Sequence, residues 1–292
     1  MAASSGSVAL AGRETPRIAV SPYALLLVPL LALLLALYAY PLAKVLWISF
    51  SDPTLGFENY EKLFTARGIR RMLWTTFKVC AITSFFAMLF GYLVAYAMIH
   101  VGERHRLWMM LFVLVPFWVS VLARAFSWVT LLGDTGIVND LLIGAGLVTE
   151  PVPMMRNQLG VLIGMVHYMV PYAVLPLYAA MRGIDMRVVS AARGLGAGPF
   201  GAFWRVFLPL SMPGIIAAGV LVFILTLGFF VTPAILGGGK TIMIAEYVSA
   251  QILTTARWGI GSMCAMVLLL LVFLLLGIMS RFVDLRTLFG AK

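Results

Sequence analysis

Charge is scarce in this 292-residue chain: Asp, Glu, Lys and Arg make up 11% of it, against 62% hydrophobic residues. A soluble globular domain carries roughly a quarter charged residues. Acid is scarcer still, with 11 Asp and Glu against 21 Lys and Arg, and no acidic residue falls inside a long apolar run. That absence argues against a self-sufficient secondary transporter, which is commonly built on internal inverted repeats and broken helices around intramembrane carboxylates; no such repeat is present either. An embedded enzyme is excluded on similar grounds. There are no paired carboxylates, no metal-ligand cluster and no Ser/His/Asp arrangement. The two cysteines, Cys80 and Cys264, both lie in apolar runs. They fit neither a disulfide framework nor a metal site and read as small core residues. The 17 methionines show no metal-site spacing and read as packing. No GxxxxGK[ST] phosphate loop occurs, so the chain has nothing with which to cradle a nucleotide.

What the sequence has is oil in long stretches. About 20 apolar residues in a helix cross a hydrocarbon core of ~30 Å. Six segments qualify: Pro22–Phe50, Met72–Ile99, Leu107–Leu132, Gln158–Met181, Leu208–Ile235 and Trp258–Arg281. The runs are continuous rather than alternating, which favours helices over a barrel. The expected fold is therefore an all-α polytopic membrane protein with six spans in a lipid bilayer. The first run exceeds the 7–15-residue core of a signal peptide and ends in no small-residue cleavage site, so it is expected to be retained. With the N-terminus inside, the inner segments hold 11 Lys and Arg and the outer segments seven. This bias places both termini in the cytoplasm. The net charge of +10 is thus a topology signal rather than a face for nucleic acid.

Residues 1–20 form an expected cytoplasmic tail, 21–285 the membrane domain and 286–292 a second tail. In the outer loop after the first span, Phe57, Tyr60, Leu63 and Phe64 fall at helical spacing. Residues 133–157 read as a packed cap, from their glycines and prolines. The inner segment 183–209 is the most ordered of the connections. Asp185 can cap a helix from Met186 to Leu195, Gly196 can close it in the left-handed conformation, and Pro199 suits the first turn of a second helix ending at Phe207. Ala191, Ala192 and Leu195 share one face. A helix lying on lipid would instead show a large apolar moment framed by Lys and Arg. Small residues point to docking against another protein.

This stretch, "SAARGLGAGPFGAFWRVFLPLSMPG", resembles the cytoplasmic signature of the permease subunits of ATP-binding-cassette importers. That signature is EAA, three residues, G, nine residues, then I-x-L-P. Ser190, Ala191, Ala192, Gly196, Val206, Leu208 and Pro209 hold its positions with the spacing intact. Ser190 replaces the usual Glu and Val206 replaces Ile. "SVLARAFSWVTLLGDTGIVNDLL" and "LPLSMPGIIAAGVLVFILTLGFFVTPAILGGG" are similar to the spermidine/putrescine-type branch, and the likeness covers residues 20 to 285. The resemblance implies a permease of the bacterial inner membrane with no bound cofactor of its own. ATP and Mg would sit on two partner ATPase subunits docked on the coupling loop 183–209. A second permease chain and a periplasmic solute-binding protein would complete the importer, which would carry a polyamine or another small amino or carboxylate solute.

Several residues are candidates for the pathway. Arg124 stands inside the third span, where an Arg usually faces a bundle interior or wet cavity. It matches an Arg of the same branch. It could contact solute, or pair with a helix C-terminus or with Asp134 or Asp140. Trp128, His167, Tyr168 and Tyr172 lie at similar depth, and Pro171 and Pro176 can open carbonyls nearby. In the fifth span, Thr226, Gly228 and Phe229 precede Pro233, where the helix could bend. Each of these is equally compatible with packing. Lys44 and Lys78 are expected to snorkel to the outer surface. With Arg124 they make the ionisable residues of the spans all cationic, which would disfavour a polycation if they faced the cavity.

Overall fold

The computed structural model describes residues 27–282; the expected tails at 1–20 and 286–292, and the start of the first span at Pro22, lie outside the described residues. Among the described residues every regular element is helical. In order they are α1 (Val28–Ser51), α2 (Glu58–Thr65), α3 (Arg67–His100), α4 (Glu103–Trp118), α5 (Val121–Leu132) and α6 (Ile137–Gly144). There follow α7 (Gln158–Arg182), α8 (Met186–Gly194), α9 (Pro199–Leu227), α10 (Val231–Leu236), α11 (Ile244–Ser249) and α12 (Trp258–Phe282). Among the described residues six segments are long and apolar enough to cross a membrane; the third of them runs Val121–Gly144, later than the Leu107–Leu132 drawn from the sequence, and α4 is not among them. By contact the chain divides into residues up to Val45 and residues from Leu46 on. In the first unit, side chains from Leu27 to Lys44 are exposed around the whole circumference of α1, an apolar surface suited to lipid.

The second unit is organised around α7. Close approach sets its packing. A Cβ placed on Gly91 of α3 would lie 2.6 Å from the Ala173 Cβ of α7, and one on Gly164 would lie 2.6 Å from Leu236 of α10. Only glycine lets these backbones meet. Polar side chains add cross-links: Tyr92 Oη and Ser211 Oγ pair at 3.2 Å between α3 and α9. The Ile244 N–H donates to Thr76 Oγ1 at 2.9 Å. One buried cluster, around Ala173, Leu177, Met181, Val189 and Phe207, joins α7 to the 183–209 segment. Another, with Ile69, Met72, Ile244 and Met263, lies at the opposite end. There α2 packs Tyr60 and Leu63 inward, whereas Phe64 of the same helix and Phe57 just before it stay exposed. The segment 133–157, expected to be a packed cap, is mostly exposed, with Ile137, Leu141 and Leu147 open, and is anchored at a few buried points. Asn139 is fully buried, donating to the Gly133 and Val152 carbonyls and accepting the Val152 N–H.

Two expected spans differ from the single helices drawn from hydropathy. The third, Leu107–Leu132, is interrupted at Val119 and Ser120, whose backbones turn extended (ψ 129° and 137°). Pro116 in the last turn of α4 lacks the N–H that would serve the Phe112 carbonyl, which weakens the helix there. Both halves lie along α7: Phe117 contacts Tyr172 at 4.8 Å, and Trp128 meets His167, nearer the start of α7. A turn at 133–136 then separates α5 from α6.

The fifth span, expected from Leu208 to Ile235, breaks at residues 228–230. Pro233 would set its ring against the Phe229 carbonyl in a continuous helix, so the chain restarts at Val231. At its other end the span begins earlier than expected. The separate second helix at 200–207 is instead the first part of α9, continuous from Pro199 to Leu227. Pro209 follows π-helical turns at residues 203–207, in which the Leu208 N–H bonds to the Phe203 carbonyl five residues back, and Pro213 lies within the helix without ending it.

Candidate coupling surface and pathway

The 183–209 segment is a helix, a tight turn and the start of a long helix. The Asp185 carboxylate accepts the Arg187 N–H at 2.9 Å and caps α8. Gly196 sits at φ +92°, a conformation that strains any residue with a Cβ. Val189 is 8% exposed and ties α8 to the buried cluster at this end, while Leu195 at the tip is 91% exposed. Phe200 and Trp204 are exposed beside it. Ser190, Ala191, Gly196 and Pro209 are exposed as well, whereas Ala192, Val206 and Leu208 are half-buried. The Ser190 hydroxyl donates to the Met186 carbonyl of its own helix. The tip therefore presents apolar side chains flanked by the exposed Arg193 and Arg205, with Ala192, Val206 and Leu208 partly buried behind them.

Deeper in the second unit, several of the pathway candidates converge. The Arg124 guanidinium donates to the Pro116 carbonyl and, at 3.0 Å, to the Val119 carbonyl. Of the partners open to it from sequence, it takes a helix C-terminus, that of α4. Its Cζ lies 4.6 Å from the centre of the Tyr168 ring. Tyr168 in turn lies 4.6 Å from Phe229 and 5.7 Å from Tyr172. Trp128 Nε1 donates to His167 Nδ1 at 3.3 Å. His167 is exposed and lines two apolar grooves along α7 with Val170.

Thr226 does not join this group. It is fully buried and donates to the Val222 carbonyl of its own helix. Gly228 is exposed, with open space where a Cβ would be. Phe117, absent from the sequence-based candidates, packs on Tyr172; its neighbour Pro116 was the available signal, since a proline marks where a buried helix gives up carbonyls. Lys78 reaches Gln158 Oε1 at 3.4 Å near the start of α7. At the end opposite the α8 tip, a cavity of about 620 Å³ is lined by Asp52, Lys62, Tyr247 and Arg257 among others.

Among the described residues the architecture is a multi-span helical bundle that carries a helix-turn-helix knob at one end and two broken spans. Residues 87–287 match the family described as binding-protein-dependent transport system inner membrane component. The chain is 34% identical over 224 residues to the spermidine/putrescine transport system permease protein PotB of Haemophilus influenzae, covering 77% of this chain and 78% of that one. It is 28% identical to PotB of Escherichia coli K12 over 228 residues, covering 78% of this chain and 82% of that one. In fold it is similar to a bacterial ABC transporter that imports the acidic polysaccharide alginate, with a TM-score of 0.70 at 21% identity over 89% of this chain and 94% of that one. The chain belongs to the inner membrane components of binding-protein-dependent transport systems. It is a permease subunit of an ABC importer, a multi-pass protein of the inner membrane, and ATP hydrolysis falls to a separate subunit.

Proposed function

We propose that this permease forms half of a pathway for a polyamine, paired with a second permease chain and driven by two ATPase subunits that bind ATP and Mg. The likeness to PotB over three quarters of the chain carries the solute class. The structure adds a physical reason. The sequence pointed to positive potential along the spans, which would oppose a polycation. The Arg124 charge, however, is turned onto two carbonyls and an aromatic face rather than into open space. The aromatic groups beside it, Tyr168, Tyr172 and Phe229, offer the π-faces that a cationic amine prefers. Carboxylates would come from the partner chain or the binding protein.

The α8 tip is the ATPase contact, so the end bearing it faces the cytoplasm together with both termini. Leu195, Phe200 and Trp204 supply an apolar plug for a cleft, and the half-buried Ala192, Val206 and Leu208 hold the stem. With Ser190 in place of Glu, this contact rests on apolar burial rather than on charge. The recess between Asp52, Lys62 and Arg257 at the other end would receive the binding protein.

Reconstitution in liposomes with the ATPase, the second permease and the binding protein tests the reading. Spermidine or putrescine should stimulate ATP hydrolysis and accumulate inside. Stimulation by a carboxylate solute and not by either amine would overturn the solute class and leave the subunit assignment intact.

A further inference from the structure

Two helix breaks, at Val119–Ser120 in the third span and at residues 228–230 in the fifth, face one side chain in common. Tyr168 of α7 lies with its ring 4.6 Å from the Arg124 Cζ and 4.6 Å from the Phe229 ring. Arg124 belongs to the first break, where it binds the carbonyls of Pro116 and Val119. Phe229 belongs to the second. We infer that Arg124 is a positioning residue that, through Tyr168, holds the two breaks in a single relative arrangement, and that it is not a solute ligand. The inference concerns a candidate of the proposed pathway but does not depend on which solute passes.

Three observations favour this over direct solute contact. Arg124 is only 9% exposed. Its Nη2 is committed to both carbonyls. Among the described residues it makes no ion pair, so its charge is balanced by the C-terminal dipole of α4 and the ring face, both of which it would have to leave to reach a ligand. Carbonyls opened inside a membrane demand donors: Pro116 accepts the Val119 N–H at 3.3 Å as well as the Arg124 guanidinium, while among the described residues Arg124 is the side chain that reaches both the Pro116 and Val119 carbonyls. At the second break, set by Pro233, nothing lies within 4 Å of a Cβ on Gly228, so the packed residue there is Phe229.

The arrangement also joins the breaks to the coupling surface. α9 runs unbroken from Pro199, beside the α8 tip, to Leu227, one residue before the second break. A displacement of the tip is carried along α9 to Phe229, then through Tyr168 to Arg124 and the first break. No element in this path is a loop free to absorb the movement, apart from the break itself. Small shifts are passed on in this way when packed contacts have discrete arrangements.

The test uses the assembled transporter in liposomes and whichever solute the wild type carries, with uptake Vmax and KM measured for Arg124→Gln, Tyr168→Leu and the double variant. Each single change should lower Vmax about thirtyfold, the worth of one desolvated cation–π contact, with KM unchanged. The double variant should be no worse than either, since both remove the same link. Arg124→Lys should recover part of the rate, because an ammonium can serve a carbonyl but cannot lie flat on the ring. Phe229→Leu, which preserves bulk at the second break, should give a smaller fall in Vmax with the same KM, and it keeps the test open if Arg124→Gln fails to assemble. A raised KM with Vmax held would make Arg124 a solute contact. Losses that multiply in the double variant would mean that the two residues act separately. Either result overturns the inference.

Discussion

The Asp52 carboxylate accepts the backbone N–H of Gly259 at 2.6 Å, joining residues 207 positions apart at the first turn of α12. An anion at a helix N-terminus is favoured by the unpaired N–H groups and the dipole there. Asn59 closes the joint, donating to the carbonyls of Ser49 and Asp52. Asp52→Ala should cost about 2 kcal/mol, the worth of a hydrogen bond to a charged group. Gly259→Ala should cost more, because the added Cβ would press on the Asp52 backbone and sit 2.7 Å from Asn59 Nδ2, groups already fixed by those bonds. Thermal unfolding in detergent, followed by a thiol-reactive dye that reports the buried Cys80 and Cys264, measures both.

The coupling tip can be disabled without unfolding the bundle. Gly196→Arg should abolish solute-stimulated ATP hydrolysis by straining a left-handed turn and placing a charge beside Leu195, with membrane insertion unchanged. Leu195→Asp should do the same without backbone strain. Ser190→Glu should be tolerated, since the Ser190 side chain is exposed and bonds only within its helix. Normal stimulation in both Gly196→Arg and Leu195→Asp would remove the tip from the ATPase contact.

Orientation is testable by cysteine labelling in a Cys80→Ala, Cys264→Ala background. Gly102→Cys and Gly198→Cys, both exposed, should react only from the cytoplasm. Leu147→Cys, 72% exposed in the wild-type residue, should react only from outside. Asn139, though in the same loop, is fully buried and would not report. Outside labelling at position 198 would reverse the topology.

Glu246 lies between spans on α11, and burial raises its carboxyl above the ordinary glutamate range. Its Oε2 is buried without a hydrogen-bond partner. A native pKa above the unfolded value of about 4.3 means that unfolding releases a proton, so stability falls as pH rises from the unfolded pKa through the native one. Glu246→Gln should therefore change little in acid and raise the melting temperature at neutral pH. A gain that is largest in acid would contradict the assignment.

How much of this was legible in sequence follows from which interactions are local. Hydropathy located the spans, and the Asp185 cap and Gly196 turn were readable because each depends on residues a few positions away. The breaks at 119–120 and 228–230 were not, although Pro116 and Pro233 stood near them. A proline can bend, break or be absorbed by a helix, as Pro209 and Pro213 are in α9, and the outcome depends on who serves the carbonyls. For α4 the donors are the Val119 N–H and Arg124, the latter eight residues beyond Pro116. For Thr226, polarity at mid-span suggested the pathway, yet the hydroxyl is consumed by Val222 one turn back. A sequence shows that a polar atom exists, but not which way it turns.

The π-helical turns at residues 203–207 give α9 one residue more than an α-helix of the same length would use. They act as an insertion held in the wall of the helix. Deleting one residue there would let the segment relax to α geometry with both flanks keeping their bearing, because the wide turn already absorbs the extra residue. The same deletion in a regular stretch of α9 would swing everything before it about the helix axis by roughly 100°, one residue's share of a 3.6-residue turn, and carry Leu195 and Phe200 with it. The bearing of the knob is thus buffered at residues 203–207 against the loss of a single codon.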